Sequence, residues 1–206
     1  MNLAAYLTHI LALENDPSKD YFTDAQNTVA LRVALYRYSV LRPYHSSSLF
    51  DGDGTKIVTL TDLTALTIRK VWHVQDDPQN NIELDFYAYL NAGVWTVETK
   101  NYAVPTGTEN VQVDTGISHT IDGLDGASDT TIPAQDEFAV ADYAAGCACR
   151  QMAISNTQTN NLNPKESDRY EQMGTLLINN FNSLFTKEQD VIRTANWHDD
   201  SIDKDY

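Results

Sequence analysis

The chain has 206 residues and a mass of 23.1 kDa, enough to bury a sizeable core without metal or disulfide staples. Its 14 Lys and Arg stand against 29 Asp and Glu, a formal net charge of −15. That argues against a general nucleic-acid binder, since phosphate affinity rests on Lys and Arg displacing counterions, and against docking on an anionic membrane surface. The hydrophobic fraction of 42% and aromatic fraction of 10% are those of a folding globular chain.

No apolar run approaches the ~20 residues of a spanning helix, and the first residues lack the cation that precedes a signal-peptide core. The two cysteines, Cys147 and Cys149, would point about 200° apart on one helix. A reduced, intracellular product is expected.

In chain order, Leu3, Leu7, Ile10 and Leu11 predict a short amphipathic helix over 3–13 with Asn2 as cap. The stretch Glu14 to Asp20 holds a proline and turn formers, and leads to Thr23 or Asp24 as cap of a second helix over 24–41 that Arg42-Pro43 closes. This helix has two apolar sides, one with Val29, Val33, Tyr36 and Val40, the other with Leu31, Leu35 and Tyr38. Such a helix is usually covered on more than one side.

Ser46 to Ser48 and Asp51-Gly52-Asp53-Gly54 read as loop and turn, and a β region over about 56–121 follows. Its clearest strand runs Ile82, Leu84, Phe86, Ala88, Leu90, alternating with Glu83, Asp85, Tyr87 and Tyr89. Asn91-Ala92-Gly93 turns into Val94 to Thr99, and weaker strands are expected at Val111 to Val113 and Ile117 to Ile121. The short connections predict a mostly antiparallel sheet.

Pro133 in a first turn, with Asp136 and Glu137 favourable to the helix dipole, predicts a third helix over 133–154, dense in Ala139, Ala141, Ala144, Ala145, Gly146 and Ala148. Asn163, Pro164 and Glu166 form a capping-box pattern opening a last helix over 164–195. Residues 197–206 read as a C-terminal tail. The fold class is therefore α+β: one domain over 1–196, in which N- and C-terminal helices form a bundle and a mostly antiparallel sheet is inserted between them.

No Walker loop, GxGxxG, GxSxG or HExxH occurs. The five histidines are never at metal-pair spacing, and Cys147-x-Cys149 has no second zinc pair. Asp51 to Lys56 fails the calcium-loop pattern, because Lys56 stands where glycine is required and no Glu closes the loop. No cofactor or metal is expected. From Asn101 to Cys149 there is no Lys or Arg against eight acids, Asp122, Asp125 and Asp129 among them. Such a face keeps a protein soluble, and repeated around a ring it would line a channel that passes DNA without holding it.

Three stretches together resemble the tailed-bacteriophage head-to-tail connector family, the adaptor or head-completion subunits beneath the portal. They are Leu35-Tyr36-Arg37-Tyr38-Ser39-Val40-Leu41-Arg42-Pro43; then Ile68 to Val74 with Tyr89-Leu90 and Trp95; and His119 to Gly123, Thr130 to Ala134 and Ala139 to Ala153. The resemblance covers most of 30–155, and departs from the family where Val40-Leu41 replaces a polar pair and in the acidic C-terminus. It implies a non-enzymatic virion protein of the neck, made in the host cytoplasm. Such a subunit assembles as a homo-oligomeric ring, commonly of twelve, between the portal protein and a downstream connector or tail protein, with DNA passing through transiently and no membrane partner.

On that footing, Leu31, Leu35, Tyr38, Ala141, Ala144, Ala145 and Ala148 are the candidate ring-interface residues, and Asp122, Asp125 and Asp129 the candidate channel- or tail-facing loop. Trp197, Ile202 and Tyr206 are the candidate portal-docking tail. The competing expectations are a tail-completion or tail-terminator subunit, an enzyme with a dispersed site drawing on Asp85, Glu98 or His119, and a calcium-stabilised binding module.

Overall fold

Asn2 opens α1 (Leu3–Leu13), its side-chain oxygen accepting the Ala5 amide at 3.0 Å. The helix buries Tyr6, Ile10 and Leu11, with Leu3 and Leu7 half-buried. Helix α2 (Asp24–Leu41) is capped by Thr23, whose hydroxyl accepts the Gln26 amide at 3.3 Å while Gln26 Oε1 accepts the Thr23 amide at 2.9 Å. This reciprocal pair satisfies two helix-end donors. Thr23→Ala should cost about 1 kcal/mol in a urea titration, and an unchanged midpoint would mean that water replaces the cap fully.

The structure, a computed structural model, describes residues 1–16, 18, 21–75, 81–159 and 164–202, with side chains omitted for 156–159, 164 and 186–202. The fold is α+β, and the described residues form four helices and two antiparallel sheets. The chain divides into two compact units, a helical unit of residues 1–41 and 119–206 and a strand unit of residues 42–118.

Strands β1 (Tyr44–Gly52), β7 (Gly107–Ile117), β3 (Thr67–His73) and β4 (Ile82–Glu83) form one sheet in that order, and β2 (Ile57–Leu60), β6 (Val94–Thr99) and β5 (Phe86–Asn91) the other. Val58, Leu60 and Val97 of the smaller sheet cluster with Val71, Val111 and Val113 of the larger one, so the inner faces share one core. The region expected to be loop at Ser46 to Gly54 is largely strand β1, in register with β7 from Tyr44↔Ile117 to Phe50↔Val111. Its serines occupy a strand without an apolar alternation, and Ser47 donates to Asp114. Asp114 also accepts from Gln112 and Trp72 on the outer face of that sheet.

The strand expected over Ile82 to Leu90 is two strands. The break at Leu84-Asp85 sends β4 to one sheet and β5 to the other, and β5 is an edge with Tyr87, Tyr89 and Leu90 exposed. The two weaker strands expected at 111–113 and 117–121 are one long strand, β7, ending at Ile117. Ile121 instead enters the core of the helical unit.

Helix α3 (Glu137–Thr159) begins four residues after Pro133, because Pro133 to Asp136 close a turn through the Asp136 amide to the Pro133 carbonyl, 2.8 Å. Helix α4 (Pro164–Ile202) continues past the expected end at 195, so the segment read as a tail from Trp197 is helical through Ile202. The expected cap Asn163 lies outside the described residues. No described helix is long and apolar enough to cross a membrane.

The core of the helical unit joins Tyr6 and Ile10 of α1, Leu31, Ala34 and Tyr38 of α2, Val140, Ala141, Ala144 and Ala145 of α3, and Phe181 and Phe185 of α4. Small residues on α3 let α4 approach closely. A Cβ built on Gly146 would lie 3.0 Å from the Gly174 carbonyl oxygen, and one on Gly174 would lie 2.7 Å from the Gly146 carbonyl oxygen.

Candidate functional site

The two apolar sides of α2 have different fates. Leu31 and Tyr38 are 0% and 1% exposed, while Val29, Val33, Tyr36 and Val40 are 50%, 48%, 63% and 44% exposed. The exposed four recur at steps of four, three and four residues, which places them in one stripe about 17 Å long at 1.5 Å per residue. The inward side buries Asn27, Ala30, Leu31, Ala34, Tyr38 and Ser39, so the outward stripe is a second apolar face that this core leaves uncovered.

The charge around the stripe is as unusual as its apolarity. Between Ala25 and Leu41 there is no Asp or Glu, whereas Arg32 and Arg37 flank the stripe, exposed, in a chain of net charge −15. Arg32 donates from Nε to both carboxylate oxygens of Asp125 at 3.0 Å and from Nη2 to Oδ1 at 2.6 Å. The guanidinium holds the Asp125 carboxyl below its ordinary range. An exposed helical stripe of this kind, apolar and rimmed by guanidinium groups, is suited to bind another protein surface.

The residues expected at the ring interface are not at the surface. Leu31, Tyr38, Ala141, Ala144, Ala145 and Ala148 are buried within the chain, and Leu35 is half-buried. They build the chain's own interior, so a bulky substitution at Ala144 would disrupt folding.

The first and third stretches of the family resemblance meet in one hydrogen-bonded cluster inside the helical unit. Tyr38 Oη donates to Asp136 Oδ2 at 2.6 Å, the His119 amide donates to Ser39 Oγ at 2.9 Å, and the His119 and Tyr38 rings lie 4.9 Å apart. His119 Nδ1 also pairs with Thr131 Oγ1 at 3.0 Å. These side chains tie α2 to the loop before α3, and His119, 6% exposed, serves the core rather than an open site.

Of the acidic loop, Asp125 is engaged by Arg32, Asp122 is half-buried with its carbonyl accepting the Leu3 amide, and Asp129 is exposed. The loop is pinned by Ile121, Leu124 and Ile132 in the core. In the strand unit, Glu98 is exposed on β6, and Asp85 is exposed in the break before β5. The Asp51 and Asp53 carboxylates accept backbone amides of Glu109 and Thr55, as turn residues do. No group of His, Cys, Asp and Glu fit to hold a metal occurs among the described residues.

Burial pushes the Cys149 thiol up to about 12 and raises that of Cys147, so neither is poised as a nucleophile. The side chains of Trp197 and Ile202, and all of Tyr206, lie outside the described residues.

The sequence displayed both stripes of α2 without saying which was inside. The signal that separates them is the company each keeps: Arg32 and Arg37 flank the outward stripe, and Asn27, Ala30, Ala34 and Ser39 accompany the inward one. No protein-family model matches the chain, and no curated protein matches it significantly.

Proposed function

We propose that the chain is a structural adaptor subunit of a tailed-phage neck, assembling as a ring beneath the portal, joining head to tail and extending the DNA channel. The observation that carries the reading is the outward stripe of α2, Val29, Val33, Tyr36 and Val40, on a helix whose other side is already buried. A ring needs a heterologous contact between unlike faces of neighbouring copies. An exposed apolar stripe supplies one half of such a contact, because its four large side chains still have area to remove from water.

Two further features support the reading. Two of the three stretches that resemble the connector family meet in a structural cluster at Tyr38, Ser39, His119 and Asp136, as a fold signature would. The net charge of −15 suits a channel wall that repels passing phosphate. Within the acidic loop the residue to test for that role is Asp129, since reversing Asp125 would also break its pair with Arg32.

The test is to mix the purified protein with the portal ring encoded by the same genome and measure the native mass. Addition of a fixed set of copies equal to the portal's own subunit number is expected. An intact portal ring that gains no mass would overturn the reading and favour the tail-terminator alternative, with the tail-tube protein as the next partner.

A further inference from the structure

Glu14 caps the C-terminal end of α1, and its side chain is 3% exposed. Its Oε2 accepts a hydrogen bond from Asn27 Nδ2 at 2.9 Å, and Asn27 is itself fully buried on α2. The other atoms of the pair, Glu14 Oε1 and Asn27 Oδ1, are both buried without a hydrogen-bond partner. As a carboxylate, Glu14 would hold a full charge out of water against one neutral donor, a costly arrangement. Both orphan atoms would also be acceptors, so neither could satisfy the other.

One proton changes this account, because a carboxylic acid has an O–H to donate and the amide of Asn27 has an oxygen to receive it. We infer that the folded subunit keeps Glu14 protonated at neutral pH, forming a two-way acid–amide clasp between the end of α1 and α2 that opens when the proton is lost. Asn27 lies two residues before Val29, so loss of the proton loosens α2 at the N-terminal end of its outward stripe.

The surroundings favour the neutral form. Burial raises Glu14 to about 8, the Asn27 hydrogen bond pulls it back in part, and the neighbouring Asp16 charge raises it further. From α3, Cys149 faces it as a thiol whose own ionisation Glu14 opposes. From α4, Glu166, Arg169 and Tyr170 join Tyr21 and Met173 around a cavity of about 190 Å³ that Glu14 and Asn15 also line. The folded state holds a proton that the unfolded chain has released above about 4.5. Stability is therefore full at acidic pH near 4.5 and falls as pH rises towards 8.

The experiment compares thermal midpoints of wild type and Glu14→Gln from pH 5 to pH 9. Glutamine presents an amide NH2 and a carbonyl oxygen at every pH, so the variant should match wild type near pH 5 and exceed it at pH 8.5, by a shift on the order of 10 °C. Parallel pH profiles would overturn the inference. The Glu14 carboxyl carbon of the wild-type protein, followed by NMR, gives an independent reading. A midpoint above 7 supports the clasp, and one below 5 refutes it whatever the variant does.

Discussion

Val33→Asp is expected to leave the chain folded and to stop assembly of the proposed ring. The side chain is 48% exposed at the centre of the outward stripe, so the substitution removes little from the core and costs only a few tenths of a kcal/mol in helix propensity. In an assembled ring the same residue would be desolvated beside Val29, Tyr36 and Val40. Full burial of side chains of this size is worth about 1.5–3 kcal/mol each, and about half of that is still to be gained at each position. A charge placed there loses that gain and adds a desolvation penalty, so weakening per contact by at least about 30-fold is expected, as at interface hot spots. The check is a pair of measurements, an unchanged urea midpoint and loss of the portal-bound complex in native mass. A variant that assembles normally would move the seam away from α2.

Gly174→Ala has its effect on folding instead. In an exposed helix the change would stabilise by about 1 kcal/mol. Here the new Cβ would lie 2.6 Å from Arg150 Cγ, 2.7 Å from the Gly146 carbonyl oxygen and 3.1 Å from the Arg150 amide nitrogen, and two of these are backbone atoms that cannot swing aside. Helices α3 and α4 must separate, and overpacking of this kind costs about 1–3 kcal/mol. A urea titration gives the sign directly. A stabilised variant would show that the two helices part without loss, and would return α3's small residues to consideration as an intersubunit feature.

The small-residue run on α3 marks the general limit of reading this chain from its sequence. Gly146 does permit close backbone approach, as its size predicts, but the partner is α4 of the same chain, and Ala144 and Ala145 lie in the same chain's core. Composition carries the geometry of such a contact and not the identity of the other side. The order of helices around a β insertion was legible because turn formers punctuate it, and the Asn2 cap acts as expected. The cap of α2 was narrowed to two residues, of which Thr23 serves.

Strand β1 escaped because Ser46 to Ser48 offer no apolar period. Their places are fixed by pairing with β7 far along the chain. The split between β4 and β5 escaped for the opposite reason, since the alternation from Ile82 to Leu90 runs unbroken through the residues where the chain changes sheets. Glu14 reads locally as the start of a turn, Glu-Asn-Asp-Pro, and only the arrival of Asn27 from α2 makes it a buried acid. At the site, the stripe itself was visible in the spacing of Val29, Val33, Tyr36 and Val40. Which stripe faced outward depended on the packing of α3 and α4 against the other.

The most direct measurement is thiol labelling of Tyr36→Cys, free and in complex with the portal ring. Tyr36 is the most exposed residue of the stripe, at 63%, and the native Cys147 and Cys149 thiols, raised by burial, react slowly. Rapid labelling of the free subunit and strong protection in the assembled complex is the predicted result. A complex of full mass in which Cys at position 36 labels as fast as in the free subunit would contradict α2 as the surface that joins one copy to the next.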